Sequence, residues 1–258
     1  MNSIIANFNK YKPLLNELVA RDVKTKYRRS VLGVLWTVLN PLLMMIVLSI
    51  VFSQIFRFEI DNYPLYLLSG QLVFNFFNMS TTMSMNAIIE NAPLIKKIYV
   101  PKYMFVLSRV ISGAINLLAS LAALIIVMIF TKAELYYTTL LSVLPLAAIV
   151  IFSFGVGMIL AAYAVKFRDI VHLYSVFTTA LMYLTPVIYP MSSLPGWVRR
   201  VVMINPLTSM LEMFRGFMIY GTMPDLFTVL MTIVPSIIFV VLGCYVFYKK
   251  QDEFILYV

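Results

Sequence analysis

Five side chains able to hydrogen-bond recur at steps of four, three, four and four: Gln71, Asn75, Asn78, Thr82 and Asn86. On a helix turning about 100° per residue they fall within about 80° of arc, a single polar stripe along one face. Neutral amides and hydroxyls so placed can bond to neighbouring helices inside an apolar bundle, or they can line a passage for a hydroxyl-rich molecule. Phe74 and Phe77 border the stripe, and Trp36, Tyr183 and Tyr189 sit in other apolar segments. Flat aromatic faces suit stacking on the C–H faces of sugar rings, although they also form ordinary interfacial belts. The candidate lining set is therefore Trp36, Gln71, Phe74, Asn75, Phe77, Asn78, Thr82, Tyr183 and Tyr189.

A second constellation is basic. Arg21, Lys24, Lys26, Arg28 and Arg29 crowd into nine positions just before an apolar run that begins at Val31. Such a block orients a chain in a membrane, or it holds an anionic group, for which Lys26, Arg28 and Arg29 are the candidates. Across residues 11–29, Leu15, Leu18, Val19, Val23 and Tyr27 share one helical face, with Arg21, Lys24 and Arg28 largely opposite. That pattern predicts a basic amphipathic helix lying on the inner membrane surface.

Other chemistries are missing. The chain has one histidine, His172, and one cysteine, Cys244, which excludes a disulfide framework. No GxxxxGK[ST] phosphate loop occurs, so energy from ATP would have to come through another subunit. The first thirty residues are polar and basic and are not expected to be a cleavable signal peptide.

The elements that must position these groups follow from composition. The chain is 62% hydrophobic and 12% charged, about half the charged share of a soluble domain. Mean hydropathy is +0.92. Charge-free windows near the ~20 residues needed to cross a bilayer occur at about 32–56, 65–89, 110–130, 140–165, 171–191 and 226–248. Their interiors hold no Asp, Glu, Lys or Arg, which argues against ion-driven transport. Continuous apolar runs also argue against a β-barrel, whose strands alternate. Six spans place both termini on one side. If that side is the cytoplasm, it holds fifteen of the twenty basic and six of the eleven acidic residues, the orientation the positive-inside rule requires. A charged membrane face of this kind points to anionic lipids rather than nucleic acid.

The expectation is an all-α polytopic membrane protein with six transmembrane helices, an N-terminal amphipathic interfacial helix and two short re-entrant helices between spans five and six. The re-entrant pair, about 194–204 and 207–220, is read from an apolar stretch too short and too broken by proline and glycine to span. Asn40-Pro41 and Thr185-Pro186 predict kinks. Ser153, Gly157 and Ala161 form a small-residue ridge on span four. Between spans two and three, residues 94–100 are expected to form a short helix whose apolar groups dock on another protein.

The stretches RDVKTKYRRSVLGVLWTVLNPLL, NAPLIKKIYVPKYMFVLSRV and LTPVIYPMSSLPGWVRRVVMINPLTSMLEMFRG, in this order over six spans, resemble the permease subunits of type 2 ABC exporters. The likeness is greatest to the branch exporting O-antigen, teichoic acid and capsule, and it covers essentially the whole chain. It implies one ABC-2 transmembrane domain over 1–258, with an interfacial helix in 1–30, a coupling loop in 90–109 and gate helices in 192–225. It implies a homodimer in the bacterial cytoplasmic membrane, joined by two ABC ATPase subunits that carry ATP and Mg, with no cofactor in this chain. Asn91, Pro93, Leu94, Ile95, Lys96, Lys97, Tyr99 and Pro101 map to the ATPase-coupling segment. Pro195, Asn205, Pro206, Glu212 and Arg215 map to the extracellular gate. The implied substrate is a glycan linked to undecaprenyl diphosphate. An ABC-2 exporter of a drug or lipid is the alternative within the class. A polyprenyl-phosphate enzyme is the alternative outside it, although Glu90 and Asp169 make a poor metal-binding pair.

Overall fold

Side chains with no place inside a helix mark where the apolar windows begin. Asn62 accepts the Leu65 N–H (3.3 Å) ahead of Pro64, and Asn205 accepts the Leu207 N–H (3.1 Å) ahead of Pro206. Asp225 does the same for Thr228 (3.3 Å). Each satisfies a backbone donor that an open helix end leaves bare.

The computed structural model describes residues 2–27, 30, 32–55 and 60–257. Regular structure among the described residues is helical: α1 (Asn2–Tyr27), α2 (Trp36–Ile55), α3 (Tyr63–Glu90), α4 (Ala92–Ile95), α5 (Tyr103–Phe130) and α6 (Val143–Ala164), then α7 (Asp169–Tyr183), α8 (Gly196–Ile204), α9 (Pro206–Arg215), α10 (Leu226–Lys250) and α11 (Phe254–Tyr257). A π-helical turn, Gly216–Tyr220, extends α9 and stops at Gly221, whose φ of +65° suits glycine. Three helical segments are long and apolar enough to cross a membrane: Tyr103–Phe130, Tyr137–Ala164 and Leu226–Tyr257. The apolar part of α2, Trp36–Phe52, is shorter.

The fifth window differs from its expectation. α7 has 15 residues, about 22 Å of helix, and it stops at Tyr183 rather than kinking at Pro186. The residue before a proline disfavours the α conformation. Here the Thr185 hydroxyl instead donates to the Leu181 carbonyl (2.7 Å), closing the helix end. Between spans two and three the helical turn is Ala92–Ile95, shorter and earlier than the expected 94–100. The short pair after α7 lies within two residues of its expected start, as α8 and α9.

α3 is the centre of the bundle. It packs on α2, α5, α6, α7 and α9, while α6 pairs with α10. Two large apolar clusters hold the bundle, and a third, small one joins Met85, Ala164 and Tyr174. Of the large two, one, at the far end, gathers the first half of α3 with α9, mainly the C-terminal half of α5, and the N-terminal half of α6. The other joins Leu15 and Leu18 of α1 to Ala87, Ile88, Ile95, Val100, Met104, Phe105, Phe247 and Phe254 at the near end. α1 therefore buries its apolar face in protein, where a purely amphipathic reading placed it on lipid.

The small-residue ridge is a set of close helix approaches. A Cβ on Gly157 would lie 2.6 Å from the Ser84 Cβ of α3, and Ser153 and Ala161 are fully buried. A Cβ on Gly243 of α10 would lie 2.3 Å from the Gly155 carbonyl oxygen.

Candidate functional site

The polar stripe divides by depth. From Leu65 to Phe77 of α3, Asn75 is the one exposed residue. Gln71 is buried, whereas Asn78, Thr82 and Asn86 are half-buried. The stripe bonds largely along its own helix: Thr82 donates to Asn78 Oδ1 (3.4 Å) and Asn86 to the Thr82 carbonyl (3.1 Å). Phe74 and Phe77, each 3% exposed, correct the expectation of an aromatic border, because both point into the core. Phe77 stacks on Phe152 with centroids 5.6 Å apart, and Phe152 meets Phe239 edge-on. Trp36 and Tyr183 are exposed, at 40% and 66%. Tyr189 is half-buried and donates to the Tyr183 carbonyl (2.6 Å).

At the far end the chain leaves α7 without helical bonds, and four successive carbonyls are taken up by side chains. Arg215 Nη1 donates to the Pro186 carbonyl (2.7 Å) and Nη2 to that of Val187 (3.1 Å). Tyr63 donates to the carbonyl of Ile188 (2.9 Å), and Tyr66 to those of Pro186 (3.3 Å) and Tyr189 (2.8 Å). Arg215 is fully buried. It also donates from Nε to Ser69 Oγ (3.2 Å), from Nη2 to the Tyr66 carbonyl (3.0 Å) and from Nη1 to Glu212 (3.4 Å). That uses all five guanidinium donors. The charge lies 3.5 Å above the Tyr66 ring, a cation–π contact. Asn205, besides capping α9, donates to Thr185 Oγ1 (2.9 Å). Pro206 opens α9, and Pro195 is exposed at the start of α8. Of the expected gate set, Asn205, Glu212 and Arg215 are brought together here.

The near end presents a different surface. In the 91–101 loop, Ile95 and Val100 are buried, Leu94 and Pro101 half-buried, and Pro93, Lys96, Lys97, Ile98 and Tyr99 exposed, Tyr99 at 93%. Two apolar roots thus hold up an exposed tip of two lysines, an isoleucine and a tyrosine. Asn91 is buried and closes α3 by donating to the Ala87 carbonyl (2.7 Å). Lys102 donates to the Gln251 carbonyl and lies over the Phe254 ring. Burial pulls its ammonium below the ordinary lysine value, and Asp252 pulls the other way. Lys26 lies in the last turn of α1. Arg28 and Arg29 lie outside the described residues.

Sequence reasoning passed over two groups that the structure makes central. Tyr63, Tyr66 and Ser69 build the far-end knot. Asp22, Glu90 and Arg109 form an ion-pair cluster with Arg21 at the near end. A local signal existed for Asp22: it follows Leu18 by one turn, so a carboxylate lies on the buried face of α1. For the tyrosines no local signal existed, since their acceptors lie 120 residues or more along the chain. Among the described residues no three His, Cys, Asp or Glu come together as metal ligands.

Residues 13–219 match the family described as ABC-2 type transporter. The chain is 29% identical over 257 residues to the O-antigen export system permease protein RfbA of Myxococcus xanthus, covering 98% of each. It is 31% identical over 243 residues to a protein of the same name from Klebsiella pneumoniae, covering 93% of each. The polysialic acid transport protein KpsM of Escherichia coli is 23% identical over 220 residues, with 84% of this chain and 85% of KpsM covered.

Proposed function

Because this chain belongs to the ABC-2 type transporter family, we propose that it is the membrane permease of an ATP-driven exporter of a cell-surface polysaccharide. The observation that carries the reading is the likeness, over more than nine-tenths of the chain, to permeases of O-antigen export. In this reading α2, α3, α5, α6, α7 and α10 are the six spans, and both termini face the bacterial cytoplasm. α8 and α9 are re-entrant from the outer face. Two copies form the pathway, and two ABC ATPase subunits supply the hydrolysis this chain lacks. The substrate is a glycan on an undecaprenyl diphosphate carrier.

Three steps follow. The lipid-linked chain arrives from the inner leaflet with its diphosphate near Lys26, Arg28 and Arg29. ATP binding moves the 91–101 loop, whose exposed tip is the docking surface for the ATPase. The polymer then passes along a path lined by α2, α3 and α7, where Asn75, Asn78 and Thr82 offer hydrogen bonds to sugar hydroxyls. The exposure of Asn75 within an otherwise buried stretch supports this role.

The test uses inverted membrane vesicles holding the permease and its ATPase, with ATP-dependent uptake of labelled lipid-linked polymer as the readout. Joint Asn75→Leu and Asn78→Leu replacement should lower uptake on the order of tenfold, equivalent to about 1.4 kcal/mol, while the ATPase still co-purifies. Uptake at the parent rate would remove the lining role. No uptake of any glycan by the parent would remove the polysaccharide reading.

A further inference from the structure

The near-end ion pairs join two elements that the proposed mechanism treats separately. α1 has one apolar face, on which Leu15 and Leu18 are buried, and Asp22 continues that face by one turn. Its side chain is 4% exposed. A carboxylate so enclosed is costly unless charges and donors meet it. Arg109 of α5 meets it, with Nη1 3.1 Å from Asp22 Oδ1. Ser112 Oγ, one turn further along α5, donates weakly to Asp22 Oδ2 (3.5 Å).

The same guanidinium has a second partner. Arg109 Nη2 lies 2.6 Å from Glu90 Oε2, at the last residue of α3. Arg21, next to Asp22 on α1, donates to Asn91 Oδ1 (2.9 Å). Residues 90 and 91, from which the coupling loop departs, are therefore both tied to α1, one through Arg109 and one directly. The loop's other attachments, Ile95 and Val100, lie in the apolar cluster that holds Leu15 and Leu18. Beyond Asp22 the junction of α1, α3 and α5 opens into a cleft of about 370 Å³, lined by Asp22, Val23, Met79, Met83, Ser112 and Asn116. At that level the Asp22–Arg109 ion pair and the Arg21–Asn91 bond hold the C-terminal part of α1 to the bundle.

We infer that Arg109 is a positioning residue that couples α1 to the 91–101 loop, so that displacing the loop carries the basic C-terminal turn of α1 with it. The inference rests on the reading of that loop as the ATPase-driven element. Its physical basis is the planar guanidinium fork, which meets two carboxylates on two helices at once and holds them in a fixed geometry that an ammonium on a flexible stem does not enforce. The consequence is that the ATPase stroke reaches the part of the chain where Lys24 and Lys26 lie as well as the spans.

The test keeps the complex of permease and co-purifying ATPase intact in lipid nanodiscs. The joint variant Asp22→Asn with Arg109→Met breaks the bridge without leaving a buried charge unpaired. Glu90→Gln, at a carboxylate 54% exposed, breaks only its outer half and is the gentler second variant. Spin labels on Asn16→Cys of α1 and Leu118→Cys of α5, both exposed, in a Cys244→Ser background report where α1 stands.

In the parent, trapping the ATP-bound state should change the α1–α5 distance. In the joint variant, which leaves only the Arg21–Asn91 bond and the shared apolar cluster between α1 and the loop, that change should shrink markedly while ATP turnover and the KM for ATP hold. Glycan exported per ATP should fall on the order of tenfold, within the usual range of coupling between sites, with a smaller fall for Glu90→Gln. An unchanged export ratio, or an α1 displacement as large as in the parent, overturns the inference. So does loss of ATPase binding in both variants, which makes the cluster a structural ion pair only. A parent that binds no ATPase or exports no glycan instead counts against the proposed function, which keeps the two failures apart.

Discussion

A buried arginine with all five donors engaged leaves little room for substitution, and Arg215 is such a residue. Arg215→Lys keeps the charge but supplies three donors where five acceptors wait. At least two hydrogen bonds from a charged donor are lost, at about 1.5–3 kcal/mol each. The expected outcome is a fall in the unfolding midpoint of the reconstituted protein on the order of 5 °C or more, read by thermal denaturation in nanodiscs. A midpoint within a degree of the parent would show that water or a rearranged side chain replaces the lost donors. The neighbouring Gly70 is part of the same constraint, because a Cβ there would lie 2.7 Å from Arg215 Nη2. At this scale the sequence pointed to Arg215 and Glu212 as gate residues, yet it concealed their partners. Those partners are carbonyls of a segment that reads as helix until the Tyr63 and Tyr66 hydroxyls are seen to hold it open.

Helix contacts show why some elements were legible and others were not. The ridge of Ser153, Gly157 and Ala161 was visible because its four-residue spacing lies within one helix. The Gly155–Gly243 contact was not, since it joins single glycines on α6 and α10 with no local repeat to betray them. That contact makes a sharp prediction: Gly243→Val should force α6 and α10 apart at a cost of about 1–3 kcal/mol. Gly196→Ala, where nothing lies within 4 Å of the new Cβ, should leave the unfolding midpoint where it was. Comparing the two midpoints checks both. The end of α7 was misjudged for a related reason. A proline marks a break, but whether the helix bends or stops depends on which donors reach the freed carbonyls, and here the donors come from α3 and α9. The amphipathic pattern of α1 was read correctly as a pattern, but periodicity does not say whether protein or lipid covers the apolar face. Leu15 and Leu18 are covered by protein.

Seen as a whole, the molecule keeps its two ends distinct. The near end gathers α1, the 91–101 loop and the C-terminal tail around one apolar cluster, with Phe254 of the tail 2% exposed. Its tip offers Lys96 and Lys97 to solvent. Reversing both to glutamate should leave the fold intact and abolish co-purification with the ATPase; normal co-purification and export would exclude these lysines from the contact. The far end is closed by α3, α9 and the segment after α7. There the four successive carbonyls of residues 186 to 189 meet side-chain donors from two neighbouring helices, α3 and α9. Each of the four accepts a hydrogen bond from Tyr63, Tyr66 or Arg215. In the proposed reading this end is the outer face, and Tyr63, Tyr66 and Arg215 tie α3, α9 and the segment after α7 into one unit, so the three would have to part together to let a bulky polymer out.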